Sequence, residues 1–282
     1  MPFFPLLRKR RLASSWQFTT KGVIWRICPG PGRMLIGEER DLESKSTSFF
    51  CIDASGTALW KERSFGETWW TGIEALHGGV LFLHGYATPD LPTHLGITAV
   101  DCVGGQQLWN VPDALFIGAR AERVYAWRAG AGAGRMLELA CRSGELLSER
   151  AQSEPDLPEA VEGLHIQSPD PLPQSGAEAV ALRKLLERTT PRGSEPVGTE
   201  YCVYGTFVVF SYALRHREGQ SYAQHLCVID RQTTRVAYAC AIEHSAPSPG
   251  AGQFIVCEDM LYVVCKRHTL CAVAMGQGRT RV

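Results

Sequence analysis

The stretch AVDCVGGQQLW (99–109) decides the fold, because CIDASGTALW (51–60) repeats it one residue shorter. In each, an apolar strand ends on an aspartate (Asp101, Asp53). A glycine turn follows (Gly105, Gly56), and Leu-Trp opens the next strand (Trp109, Trp60). A strand-end aspartate accepts hydrogen bonds from the N–H groups of the turn behind it, and glycine supplies the positive φ at no steric cost. The tryptophan then buries a large flat surface at a fixed distance from that turn. VIDRQTTRVAY (228–238) is a third copy, with Asp230 and, eight residues on, Tyr238. LACRSGELLS (139–148) reads as a weaker fourth, with Cys141 replacing the aspartate and Ser148 the aromatic. TLCAVA (269–274) is a fifth apolar strand with no strand after it.

Two further strand patterns precede each apolar strand. They are VIWRIC and RMLIGEE before the first, WWTGIEAL and VLFLHGY before the second, and LFIGARA and RVYAWRA before the third. TEYCVYG and TFVVFSYAL precede the fourth, QFIVCED and MLYVVCKR the fifth. Five four-stranded antiparallel units result, the last lacking its final strand. SWQFTT (14–19) stands at the chain's start as a final strand with no unit of its own, Trp16 taking the place of Trp60 and Trp109. If it completes the fifth unit, a ring closes and two sheet edges are removed. The expected fold is therefore all-β, a five-bladed β-propeller in one domain spanning 1–282. It carries a basic tail at 1–13 and a Pro-rich insertion at 150–198. Within the insertion, AEAVALRKLLER (177–188) has Ala177, Val180, Ala181 and Leu185 at helical spacing, with Leu182 and Leu186 beside them, which predicts a short amphipathic helix.

Composition narrows the function classes. The chain has 282 residues, 45% apolar and 21% charged, with 29 basic and 29 acidic side chains. Balanced charge gives no electrostatic footprint for nucleic acid, and no apolar run approaches the ~18 residues of a membrane span. The ten cysteines sit mostly inside apolar runs and none has Cys-x-x-Cys spacing, so they read as reduced core residues of a cytoplasmic protein. A monomer is expected, with an unknown protein or small molecule as its partner.

The Asp101-Gly105-Trp109 and Asp53-Gly56-Trp60 sets resemble the blade motif of the quinoprotein-like (PQQ-repeat) propellers; Asp230-Thr233-Thr234-Tyr238 matches loosely. That resemblance implies the fold and leaves the sets structural. Quinoprotein dehydrogenases carry adjacent cysteines at their cofactor, and no Cys-Cys pair occurs here, so no cofactor is expected. More narrowly, WQFTTKGVIWRI and TPDLPTHLGITAVD are similar to an uncharacterised bacterial domain-of-unknown-function family, DUF4905, which brings no known activity.

In an antiparallel meander the second-to-third and fourth-to-first connections share one end of every unit. That end carries DLESKSTS (41–48), ATPDLPTHL (87–95), RHREGQSYAQ (215–224) and the insertion, while the other end has tight turns such as HGG and VGG. Function on rigid scaffolds sits in such loops, which points to a binding or protein-interaction module. Ligand-binding candidates there are Glu38, Arg40, Asp41, His84, Tyr86, Asp90 and His94, with Arg215, His216 and Arg217 after the fourth unit's second strand. His84, Asp90 and His94 offer a metal set, but their spacing is not diagnostic; the plainer reading, loop groups bonded to backbone or water, is the one taken, and no metal is expected. Glu38, Glu39, Asp41 and Glu74 are the carboxylates for the alternative, a carbohydrate-active or other hydrolytic enzyme. Surface pairing with Arg40 is the plain reading for Glu38 and Glu39. Trp69 and Trp70 are expected to pack in the core.

Overall fold

A computed structural model describes residues 11–66, 69–88, 91–129, 134–152, 164–191, 193–216 and 219–276. The chain divides into two compact units, Thr20–Leu164, and Met1–Thr19 with His165–Val282. It is all-β apart from one α-helix and a short 3-10 turn among the described residues, in five antiparallel sheets consistent with a multi-bladed propeller.

Strand β1 spans Ser14–Thr19. The Thr20–Leu164 unit then holds three four-stranded meanders. The first is β2 (Val23–Pro29), β3 (Leu35–Asp41), β4 (Ser46–Ile52) and β5 (Ala58–Arg63). The second is β6 (Gly72–His77), β7 (Val80–Thr88), β8 (Leu91–Asp101) and β9 (Gln107–Val111). The third is β10 (Leu115–Arg120), β11 (Arg123–Arg128), β12 (Gly134–Ala140) and β13 (Leu146–Gln152). The other unit contains β14 (Ile166–Gln167), β15 (Asp170–Pro171), helix α1 (Ala177–Leu186) and β16 (Val197–Tyr204). It continues with β17 (Phe207–Arg215), β18 (Tyr222–Asp230), β19 (Arg235–Ala246), β20 (Phe254–Cys257), β21 (Met260–Cys265) and β22 (Thr269–Ala274). β1 pairs antiparallel with β22, Trp16 opposite Ala272, so the N-terminal strand completes the fifth sheet.

Inner strands are buried on both faces and read as continuous apolar runs, such as Val80–Leu83 on β7 and Phe207–Phe210 on β17. In the Thr20–Leu164 unit, Ile36, Phe49, Cys51 and Trp60 of the first sheet pack against Ile73, Leu81, Leu83 and Val100 of the second. Phe82, Ile97 and Trp109 pack in turn with Val124, Ala126 and Leu137 of the third.

The repeat motif makes these joints. Trp60 Nε1 donates to the carbonyl of Cys102 at 2.7 Å, and Trp109 Nε1 to that of Cys141 at 2.9 Å. Each indole lies on the turn glycine of the following sheet: a β-carbon would sit 2.7 Å from Trp60 at Gly105 and 2.6 Å from Trp109 at Gly144. The aspartates cap their own turns as expected. Asp53 Oδ1 accepts from the N–H groups of Ser55 and Thr57, Asp101 Oδ1 from Val103 and Gly104, and Asp230 Oδ1 from Gln232 and Thr233. Trp60, Trp109 and Tyr238 all pair with the residue two before their aspartate, respectively Cys51, Ala99 and Val228.

Several expectations need correction. The weak fourth copy is in register one residue earlier: Gly144 N–H donates to Ala140 O as Gly105 N–H does to Asp101 O, so Ala140, and not Cys141, holds the aspartate's place. Cys141 is the counterpart of Cys102 as carbonyl acceptor. Two sheets have five strands, because the insertion adds β14 to the edge of β20 and β15 to the edge of β16. The helix ends at Leu186, and its buried face is centred on the leucines: Leu182 and Leu186 are buried with Val208, Phe210 and Tyr212, Leu185 packs against them, and Val180 is 54% exposed. Two leucines offer more apolar area than Val180 and Ala181, and burying them decides the rotation. The polar connections are shorter than expected, since β7 and β8 extend as a ladder as far as Thr88 opposite Leu91, and β3 and β4 as far as Asp41 opposite Ser46. Residues 1–10 of the basic tail and 130–133 lie outside the described residues.

Candidate functional site

Three neighbouring strands of the second sheet bring Glu74, His84 and His94 together. Tyr86 pairs with His94 and His84 with Ile97, so β8 spends three residues where β7 spends two. The extra residue is Gly96, at φ +89°, a conformation glycine supplies without strain. Side chains alternate along a strand, so without this bulge His94 and Ile97 would lie on opposite faces. With it, His94 shares the face of His84. A second bulge between Ile73 and Ala75 leaves Glu74 as the extra residue of β6 on the same side.

The carboxylate oxygen Oε2 of Glu74 lies 2.8 Å from His94 Nδ1 and 2.9 Å from His84 Nδ1. The two imidazoles stack, with centroids 3.5 Å apart and planes within 9°. His84 is 5% exposed, and its Nδ1, though near Glu74, has no aligned hydrogen-bond partner. Burial pushes the Glu74 carboxyl up, but the two imidazoles outweigh it and leave the group below the usual carboxylate range. Tyr86 stands edge-on to both imidazoles at 5.3 Å and to Trp70 at 5.8 Å. Gly72 makes room for the His84 ring, since a β-carbon there would sit 2.9 Å from Nε2.

Beside this group is a buried ion pair. Arg40 Nε donates to Glu38 Oε1 at 2.7 Å, and the other Glu38 oxygen accepts the Ile73 N–H at 3.1 Å. The Arg40 guanidinium lies 4.8 Å from the Trp25 ring and 5.0 Å from the Trp69 ring. Trp69 and Trp70 are half-buried and not core residues as expected. Glu38 and Glu39 are also not surface groups: they are 2% and 9% exposed, and Glu39 accepts the Gly22 N–H. Buried charges such as these persist by pairing, and both Glu38 oxygens have a donor.

The other predicted residues lie apart or fall outside the description. Asp41 is exposed and accepts from the Glu43 and Ser44 N–H groups of its own turn; its Ser44 hydrogen bonds hold the carboxyl below its ordinary range. Asp90 and Arg217 lie outside the described residues. Arg215 and His216 belong to the other unit, where Arg215 donates to Tyr222 Oη and His216 Nε2 lies 2.8 Å from the His244 carbonyl. A cavity of about 650 Å³ in that unit is lined by residues that include Leu172, Arg183, Leu186 and Thr199, and none of the predicted residues faces it. The sequence reading placed Glu74 among the carboxylates and not with the histidines. The missed signal was Gly96, a lone glycine inside a strand pattern, which marks a bulge.

The first two sheets, with both Asp-Gly-Trp turns and Glu74, His84 and His94, are where the chain meets known families. Residues 31–109 match the model of a domain of unknown function, DUF4905. The resemblance read from the sequence to that family thus holds over this stretch. No curated protein matches the chain. Among solved structures, dihydro-heme d1 dehydrogenase NirN is 12% identical, with 79% of this chain and 38% of that one covered at a TM-score of 0.29. Hydrazine synthase of Kuenenia stuttgartiensis is 10% identical over 84% and 63%, TM-score 0.29. An exo-beta-1,3-galactanase from Phanerochaete chrysosporium is 9% identical over 91% and 64%, TM-score 0.26. The chain thus spans 38% and 63% of the length of the first two, and likenesses this distant carry no argument about its activity. No helix among the described residues is long and apolar enough to cross a membrane.

Proposed function

We propose that the chain is a binding module, and that its five sheets are the blades of one five-bladed propeller domain closed by β1. The observation that carries the binding reading is aromatic surface left open over a fixed frame. Trp25 is 57% exposed, yet its ring is stacked on Arg40, which is itself buried and pinned by Glu38. Trp69, Trp70 and Tyr86 continue the aromatic surface. Rigid aromatic side chains with few rotamers to lose are the usual anchors of a binding face. The carboxylates support binding over hydrolysis. A glycosidase acid must carry a proton to hand over, whereas both oxygens of Glu38 accept donors and Glu74 faces two imidazoles. Buried thiols support a reducing compartment, the cytoplasm: none of the ten cysteines is in a disulfide and eight are buried.

Glycan and peptide arrays probed with the full chain test this reading. A ligand found on them should bind about tenfold or more weakly to Trp25→Ala, with the melting curve unchanged, because truncating an anchor aromatic commonly costs over ~1–2 kcal/mol of binding. Undiminished binding by the variant would move the site elsewhere. Glycoside turnover abolished by Glu74→Gln would favour the enzyme.

A further inference from the structure

The geometry points to a site for one divalent first-row transition ion, Zn²⁺ foremost, held by Glu74, His84 and His94. Three independent observations lead there, and none depends on whether the aromatic surface binds an organic ligand. First, the donor atoms of all three residues lie within 4.8 Å of one another. Two donors each about 2.05 Å from a common ion stand about 2.9 Å apart at a right angle and about 3.3 Å apart at the tetrahedral angle. The observed separations of 2.8 and 2.9 Å from Glu74 Oε2 to the two Nδ1 atoms suit ligands on one ion.

Second, His84 Nδ1 is a buried polar atom with no aligned partner, on a side chain only 6% exposed. A buried polar atom without an aligned partner is destabilising, and a bound ion would satisfy it. Third, two separate bulges, at Glu74 and Gly96, turn these side chains to one face. The Glu74 bulge recurs in the first strands of other sheets, between Ile24 and Arg26 and between Phe116 and Gly118, whereas the Gly96 bulge has no counterpart in any other second-to-third strand pair among the described residues. A bulge peculiar to one sheet that re-aims a side chain, as the one at Gly96 does for His94, is a feature frequent beside active sites.

Donor chemistry selects the class of ion. Two imidazoles and a carboxylate suit Zn²⁺ and its neighbours, whereas Mg²⁺ and Ca²⁺ take oxygen donors throughout. Three protein ligands leave a position open to water or to an atom of a ligand. Both Nδ1 atoms face the Glu74 carboxylate, so a bound ion would take the place of protons at that spot, and the stacked rings would tilt apart to converge on it. Tyr86, edge-on to both rings, bounds that movement.

The full chain, stripped with a chelator, is titrated with Zn²⁺ by calorimetry and with Co²⁺ by visible absorption. The expected result is one equivalent bound, with Co²⁺ bands of nitrogen and oxygen ligation and no thiolate charge-transfer band. Glu74→Gln, His84→Gln and His94→Gln should each weaken binding at least about tenfold, since even groups supporting a metal's ligands cost that much. His94, at 39% side-chain exposure, is the variant that keeps its fold if buried His84 cannot be replaced. Exposed His244, away from the site, serves as the control: His244→Gln should bind as the parent does. Unchanged affinity in a folded His94→Gln, or a thiolate band showing that cysteines hold the ion, would overturn the assignment and leave adventitious binding only.

Discussion

Replacing Trp109 tests the joint between sheets where its parts can be weighed. The indole is 9% exposed, lies 5.9 Å from Phe82, donates to the Cys141 carbonyl and covers Gly144. Trp109→Ala should cost about 3–5 kcal/mol, the range for removing a buried large aromatic. Gly144→Ala meets two penalties. Its φ of +71° is left-handed, worth about 1–2 kcal/mol against an L side chain. Its new β-carbon, 2.6 Å from Trp109 Cγ, adds an overpacking cost of about 1–3 kcal/mol. In the Trp109→Ala background the second penalty disappears, because the ring that would be struck is gone. The two single costs should therefore exceed the double mutant's by about 1–3 kcal/mol in urea unfolding followed by fluorescence and circular dichroism. Additive costs would mean that the glycine is there for its backbone alone and that indole and turn do not form one joint.

Two further outcomes follow from the charged groups. Arg40→Ala should destabilise by about 3–5 kcal/mol by leaving Glu38 buried without its partner, and Arg40→Lys should recover only part of this because an ammonium cannot stack between Trp25 and Trp69. Denaturant midpoints of the three proteins measure it, and a wild-type midpoint for Arg40→Ala would refute the buried pair. Asp101 is held below its ordinary carboxylate range by the Gly104 N–H and then by Arg142. A depressed folded pKa contributes stability above the unfolded value near ~3.9 and loses it as pH falls through the folded pKa. Asp101→Asn should thus cost about 1–2 kcal/mol at neutral pH and progressively less below about pH 4, which parallel unfolding curves would show.

The sheets were legible because hairpin construction repeats: Asp, Gly and Trp recur at fixed offsets, and each has a local physical reason. Even Trp16, with no repeat of its own nearby, was placed correctly against the last strand. The short additions β14 and β15 were not legible, since two-residue strands carry no periodicity and exist only by pairing to an edge. The helix face was legible only in part, because spacing alone ranks Val180 with the leucines, whereas area ranks Leu182 and Leu186 first. At the site, His84 and His94 could be grouped from their positions around one hairpin. Glu74 could not, because the bulges that turn it and His94 inward break the alternation on which a sequence reading depends. Glu38 and Arg40 looked like surface charges for a similar reason: burial by a neighbouring sheet leaves no trace in a strand's own residues.

Diffraction data collected at the zinc absorption edge, from crystals of the full chain grown with one equivalent of Zn²⁺, test the site most directly. The expected result is a single anomalous peak within about 2.0–2.2 Å of Glu74 Oε2 and of both Nδ1 atoms of His84 and His94, with the two imidazoles tilted out of their stack. A map with the rings still parallel, Glu74 hydrogen-bonded between them, and the peak elsewhere or absent would contradict it.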